Sequence, residues 1–156
     1  MNTIKLCLDN VPYKIKPDGK TEITMINNRI GHSVKELNIA TDDMDKLVRA
    51  VGRDGHTFCP ATFKDGHRCQ ESFEQQQMFA LDFDNDKPDS TITFEEVKSR
   101  AEKYDLPVWF AYDSLRSVDH HKFRVVFLND ASIPDRKMAE AMQLAMGTIF
   151  PEADSS

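Results

Sequence analysis

Met78-Phe79-Ala80-Leu81-Asp82-Phe83-Asp84-Asn85 is the stretch whose reading decides the fold. Its apolar run reads as a buried strand, and it ends in two carboxylates one residue apart. Side chains two apart on a strand point to the same side. Asp82 and Asp84 would therefore stand side by side, with Phe79 and Phe83 turned into the core. Neighbouring carboxylates repel unless a cation lies between them, so a rigid strand ending in Asp-x-Asp suits a divalent metal. The same pattern also ends strands by entering a turn. Residues further along the chain have to decide between the two.

Downstream, a polar loop over 85–91 leads to Thr93 and Glu96, which have capping-box spacing. They predict a helix through Tyr104 with Phe94, Val97, Ala101 and Tyr104 on its apolar face. Pro107–Tyr112 reads as a buried strand, 113–119 as a polar connector, and Lys122–Leu128 as a strand rich in Val and Phe. Ser132 and Pro134 are expected to start a second helix, with Met138, Met142, Ala145, Met146 and Ile149 on one side. The methionines read as core filler. A polar tail follows at 151–156. The order β-α-β-β-α is a split βαβ arrangement of the RNA-recognition type without its last strand. The fold class expected is thus α+β, with the helices on one sheet face and the other face free for a ligand.

Upstream, residues 1–40 look β-rich. Thr3–Leu8 and Tyr13–Lys16 alternate, Pro17-Asp18-Gly19-Lys20 is a turn signal, and Thr21–Ile26 is read as a returning strand. Thr41 is read as the cap of a helix with Met44, Leu47, Val48 and Val51 on one stripe, ended by Gly52. The segment 52–75 is read as loop-rich. Two parts follow: a small α/β N-terminal part over 1–51, packed on a core over 52–156.

A chain of 156 residues is sized for one core. No apolar run is long enough to span a membrane and no signal-peptide pattern opens the chain, so a soluble, cytoplasmic protein is expected. The net charge of −6 does not mark a general nucleic-acid binder. Basic residues instead concentrate locally, as Arg116, His120, His121, Lys122 and Arg124, and again from Lys46 to Arg68. His56, Cys59, His67 and Cys69 have residue types that suit zinc, but His-x2-Cys-x7-His-x-Cys fits no common zinc module. Zinc is not expected.

If Phe123, Val125 and Phe127 are core, alternation puts His120, Lys122 and Arg124 on the opposite face. Metal-holding carboxylates facing a row of cations are suited to a triphosphate. At this point the residues resemble a known family. Phe79-Ala80-Leu81-Asp82-Phe83-Asp84 is similar to the first motif of the archaeo-eukaryotic primase superfamily. Ser117-Val118-Asp119-His120-His121-Lys122-Phe123-Arg124-Val125-Val126-Phe127 resembles its second, a Ser and His leading into a basic strand. Ala153-Asp154 fits the place of the third. The likeness is greatest to primase-polymerase domains of phages, plasmids and other mobile elements, and it covers about residues 52 to 156. Ser117 precedes His120 by three positions where the family has Ser-x-His, so either His120 or His121 is a candidate, and alternation favours His120. The family fold continues beyond the third motif, so the chain is expected to be a fragment or a reduced version.

The resemblance implies two-metal nucleotidyl transfer, with Asp82, Asp84 and Asp154 holding Mg²⁺ or Mn²⁺. His120, Lys122 and Arg124, with His121 and Ser117, would bind the incoming triphosphate. It implies a DNA template and primer, nucleoside triphosphates, and a helicase fused or encoded nearby as partners. Two other readings stay open: a metal-dependent nuclease or phosphoesterase, and a non-catalytic nucleic-acid-binding module. Asp82, Asp84 and Asp86 also imitate the start of a calcium loop. Lys87 stands where that loop needs Gly, and Thr93 where it needs Glu.

Overall fold

Alternating burial along residues 78–83 sets the centre of the molecule: Phe79, Leu81 and Phe83 are buried in one cluster and Met78 in another. The computed structural model describes residues 3–14 and 19–154. In chain order its regular elements are β1 (Thr3–Pro12), α1 (Lys20–Ile30), β2 (Val34–Asn38) and α2 (Asp43–Gly52). There follow β3 (His56–Cys59), β4 (Ala61–Phe63), β5 (Phe73–Phe83) and α3 (Phe94–Lys103). β6 (Val108–Asp113), β7 (Phe123–Ile133) and α4 (Arg136–Ile149) complete the series. The fold is mixed α+β. Among the described residues the strands form two antiparallel sheets, ordered β2-β1-β3 and β4-β5-β7-β6.

The second half follows the sequence pattern closely. Thr93 and Glu96 form the expected capping box at α3. Val97 and Ala101 are buried, whereas Tyr104 is exposed. At α4 the cap is Asp135, whose carboxylate accepts from the backbone N–H of Lys137 (2.8 Å) and Met138 (3.2 Å). The expected start at Ser132 and Pro134 gives way because β7 runs on to Ile133. The buried stripe shifts accordingly to Ala139, Met142, Met146 and Ile149, leaving Met138 in solvent.

The first half departs more. Thr21–Ile26 is helical, inside α1, although its β-branched residues favour a strand. Ile26 and Ile30 supply a helical stripe that packs inward, and burial outweighs propensity. The turn expected at Pro17 and most of the Tyr13–Lys16 strand lie outside the described residues; Tyr13 and Lys14 themselves are not in a strand. The segment expected to be loop-rich contains β3 and β4, and the chain changes sheets at Pro60 rather than at 51/52.

Two structural facts change how the β5 sheet is bounded. The edge beside β5 is paired with β4 from Ala61↔Gln76 to Phe63↔Phe73. The face away from α3 and α4, expected to be free, is covered along much of its length. Met78, Phe110 and Val126 are buried there against Ile4, Leu6, Leu47, Val51 and Phe58. What stays accessible is the end of that face where β5 and β7 carry charge. Gly55 ties the turn between α2 and β3 to the segment after β1. Its φ of 82° is left-handed, its carbonyl accepts from the N–H of Tyr13, and a Cβ there would collide with the Tyr13 carbonyl.

Phe150 is fully buried and meets Phe83 edge-on and Phe127 obliquely. Phe150→Ala should cost about 3–5 kcal/mol in urea unfolding. Leu144→Ala, on the exposed side of α4, should stay within about 0.5 kcal/mol of wild type.

Candidate functional site

The site is built where β5 ends. Phe83 anchors the strand end in the core, stacked on Phe123 at 5.1 Å, so Asp82 and Asp84 are presented on the opposite face. Asp82 lies directly across from Arg124 in the β5–β7 register. The guanidinium takes both carboxylate oxygens: Nη2 donates to Oδ2 at 2.6 Å and Nε donates to Oδ1. Arg124 in turn donates from Nη1 to the Tyr112 hydroxyl at 3.2 Å, and its guanidinium carbon lies 6.0 Å from the Tyr112 ring centroid. Burial raises the Tyr112 phenol, although Arg124 opposes the shift. Gly52, the last residue of α2, packs against Tyr112; a Cβ there would lie 3.3 Å from that of Tyr112. The N-terminal half thus backs the residue that steadies Arg124.

Lys122 is fixed one step further along. Its Nζ lies 2.6 Å from Asp86 and 3.9 Å from Asp84. Hydrogen bonding to Asp86 raises its ammonium against a desolvation cost, and the same bond lowers the Asp86 carboxyl. Ser117 accepts from the backbone N–H of Lys122 at 3.1 Å. It therefore orders the turn before β7 through the backbone. Asn85 makes a second tie: its side chain donates to the carbonyls of Ile92 and His121 and accepts from the N–H of Ile92. Its φ of 52° is one that Asn tolerates.

Asp154 reaches the same place from the far end of the chain. Its backbone N–H donates to the carbonyl of Asp82 at 2.8 Å. The segment after α4 is held there by Arg100, which pairs with Glu152 at 2.7 and 2.9 Å, donates to the carbonyl of Ile149 and lies over the Phe150 ring. The Asp154 carboxyl is raised, by burial first, then by the charge of Asp84 and a hydrogen bond with it, then by Asp82 and Asp86. Carboxylates from both chain segments are therefore crowded together. Among the described residues, no three His, Cys, Asp or Glu side chains are gathered as a ready-made metal cage. Asp82 is engaged by Arg124.

The histidines lie elsewhere than alternation placed them. β7 begins at Phe123, and Asp119 (φ 53°) and His120 (φ 61°) are consecutive left-handed residues of the turn closed by His121 N–H to the Val118 carbonyl. Alternation does not carry through such a turn. His120 instead pairs with Asp113, Nδ1 to Oδ2 at 2.5 Å. Asp113 is the register partner of Phe123, on the helix side of the sheet, whereas Tyr112 is the partner of Arg124. His120 and Asp113 border an open cavity of about 780 Å³, floored by Ile92, Phe94, Ala111 and Phe123. His121 borders the same cavity with its Nδ1 against the Val118 backbone, and its charge reaches Asp86, whose carboxyl it helps lower.

Asp82, Asp84, Asp154, Lys122 and Arg124 are thus together. Ser117 is structural to their turn, and His120 stands apart. Tyr112 and Arg100 escaped the sequence reading, and Asp86 entered it only as part of a calcium-loop imitation. Tyr112 was legible in principle, as the partner of Arg124 once the register is known. Arg100 had no local signal, because its partner is 52 residues away. No protein-family model matches the chain, and neither a curated protein nor a solved structure is similar enough to it to count as a match.

Crowding at Asp154 has a pH signature. Its folded carboxyl titrates above its ordinary value, so it favours the folded state only while protonated. That contribution is complete below the ordinary aspartate range and is lost as pH rises through the raised value. Asp154→Asn should leave thermal stability unchanged near pH 3 and raise it at pH 7, in metal-free buffer. Identical melting at both pH values would show that the carboxylates do not repel.

Proposed function

We propose that this chain is a primase-polymerase catalytic domain, a nucleotidyltransferase that extends a DNA-templated primer by two-metal chemistry. The observation that carries the reading is the meeting of Asp154 with Asp82 and Asp84, from opposite ends of the second half, beside Lys122 and Arg124. Strand order supports it too. β5 and β6 are joined through α3 and separated by β7, which is the order of a split βαβ unit. In this reading β4 takes the edge that the last strand of such a unit would occupy.

The donor set fits a hard divalent cation, since it consists of carboxylates, with Asp84, Asp82 and Asp86 close enough to add to the upward shift of Asp154. Asp82, Asp84 and Asp154 would hold Mg²⁺ or Mn²⁺. Bound there, such ions supply neutralisation of phosphate charge and acidify a primer 3′-hydroxyl. Arg124 offers a planar pair of donors to the triphosphate, and Tyr112 keeps that plane oriented. Lys122 offers a point charge on a backbone fixed by Ser117. Of the two histidines, His121 is the one whose charge reaches Asp86, whereas His120 is held by Asp113 on the other face. Template contact would run through backbone phosphates and weaken with salt. A phage or other mobile element, with a helicase fused or encoded nearby, is the replication setting that this reading implies.

Primer extension by the full chain with Mn²⁺ tests the proposal directly. Asp82→Ala/Asp84→Ala should lower the rate by more than about 100-fold, beyond the range typical for outer-sphere partners of a metal. Equal rates would sink it. Cleavage of DNA that needs metal but no nucleotide would point to a nuclease instead.

A further inference from the structure

Arg124 and Asp82 engage each other through both carboxylate oxygens. Two parallel N–H···O bonds are the strongest arrangement open to this pair. Lys122 repeats the pattern with Asp86, leaning also toward Asp84. The cations meant for an anionic ligand are thus occupied by carboxylates meant for a cationic one. We propose that the Arg124–Asp82 pair is a clasp that makes the site accept a metal–triphosphate complex as one ligand and disfavour the free cation. The inference rests on reading this site as a nucleotide site, and it adds a residue-level cause for the coupling of its two ligands.

The argument is one of exchange. A free divalent ion that takes Asp82 must strip it from Arg124, leaving a guanidinium two-thirds buried with no counter-charge. A free triphosphate that takes Arg124 leaves Asp82 crowded by Asp84 and Asp154 with nothing to neutralise it. When the two arrive together, the ion takes the carboxylate and the phosphate oxygens take the guanidinium, so no charge is orphaned. Arg124 can make the exchange without leaving the site, because the Tyr112 hydroxyl holds its remaining nitrogen. Both partners are also open enough to be reached, with about a third of each side chain exposed (33% for Arg124 and 39% for Asp82). Coupling of this kind is reciprocal: whatever factor the triphosphate adds to metal affinity, the metal adds to triphosphate affinity.

Metal binding to the full chain, followed by the electron paramagnetic resonance of Mn²⁺, gives the test. A fluorescent nucleoside triphosphate carrying an α,β-methylene bridge reports nucleotide binding. Wild type should bind Mn²⁺ alone weakly and gain about tenfold in analogue affinity when Mn²⁺ is present. Arg124→Gln should bind Mn²⁺ alone about tenfold more tightly than wild type, and should lose the gain in analogue affinity. If Arg124→Gln fails to fold by circular dichroism, Arg124→Lys serves, since an ammonium cannot hold both oxygens in one plane. Should the variant bind Mn²⁺ no more tightly while wild type still binds the Mn²⁺–analogue complex, the clasp is overturned and the nucleotide site stands. If wild type binds neither Mn²⁺ nor the analogue, the site reading fails and the clasp with it.

Discussion

The antiparallel register of β5 against β7 is the constraint on which the rest depends. It sets Phe79 opposite Phe127, Leu81 opposite Val125 and Phe83 opposite Phe123, filling the side that α3 and α4 cover. The alternate residues form the other face, where Met78 meets Leu128, Ala80 meets Val126, and Asp82 meets Arg124. A slip of β5 by one residue would turn Asp82 toward the core side and turn Phe79, Leu81 and Phe83 away from it. The hydrophobic pattern therefore fixes the electrostatic one. The charged pair sits where it does because apolar neighbours on both strands leave it no other register.

Much of this was legible because period-two and helical patterns are local. The β5 strand end, the capping box of α3, β6 and the core side of β7 all follow from runs of a few residues. The parts that were not legible depend on partners far along the chain. The helix α1 required knowing that Ile26 and Ile30 would find a core. The covering of the sheet face by α2, β1 and β3 required knowing where those elements dock. His120 was misplaced for a different reason: alternation was carried past the start of the strand into a turn with two left-handed residues. Neither Asp119 nor His120 is the glycine that usually announces such a turn.

The N-terminal half matters to the site through packing rather than through charge. α2 ends against Tyr112, and β1 and β3 bury the apolar part of the same sheet face. This confines the accessible region to the end carrying Asp82, Asp84, Lys122 and Arg124. A sheet face left entirely open would present Met78, Phe110 and Val126 to solvent, an apolar patch that favours association over selective binding of a charged ligand. Covering it narrows what the remaining surface can bind.

Among the described residues three arginine–aspartate pairs are bidentate; Arg53–Asp54 joins two adjacent exposed residues, and the surroundings of the other two assign them different work. Asp9, on β1, is fully buried; Arg29 donates to it at 2.7 and 2.6 Å, and the N–H of Val11 adds a third bond. Burial pushes the Asp9 carboxyl up, but those bonds outweigh it and hold the carboxyl below its ordinary value. No ligand of any size can reach that carboxylate, so the pair ties α1 to β1. Asp82 is open to solvent and stands beside further carboxylates, and its arginine has a second anchor in Tyr112. The same chemical contact is a permanent tie where the carboxylate is closed to solvent and an exchangeable one where a competing ion can reach it. Accessibility and crowding, rather than the strength of the pair, mark the Arg124–Asp82 contact as the one built to open.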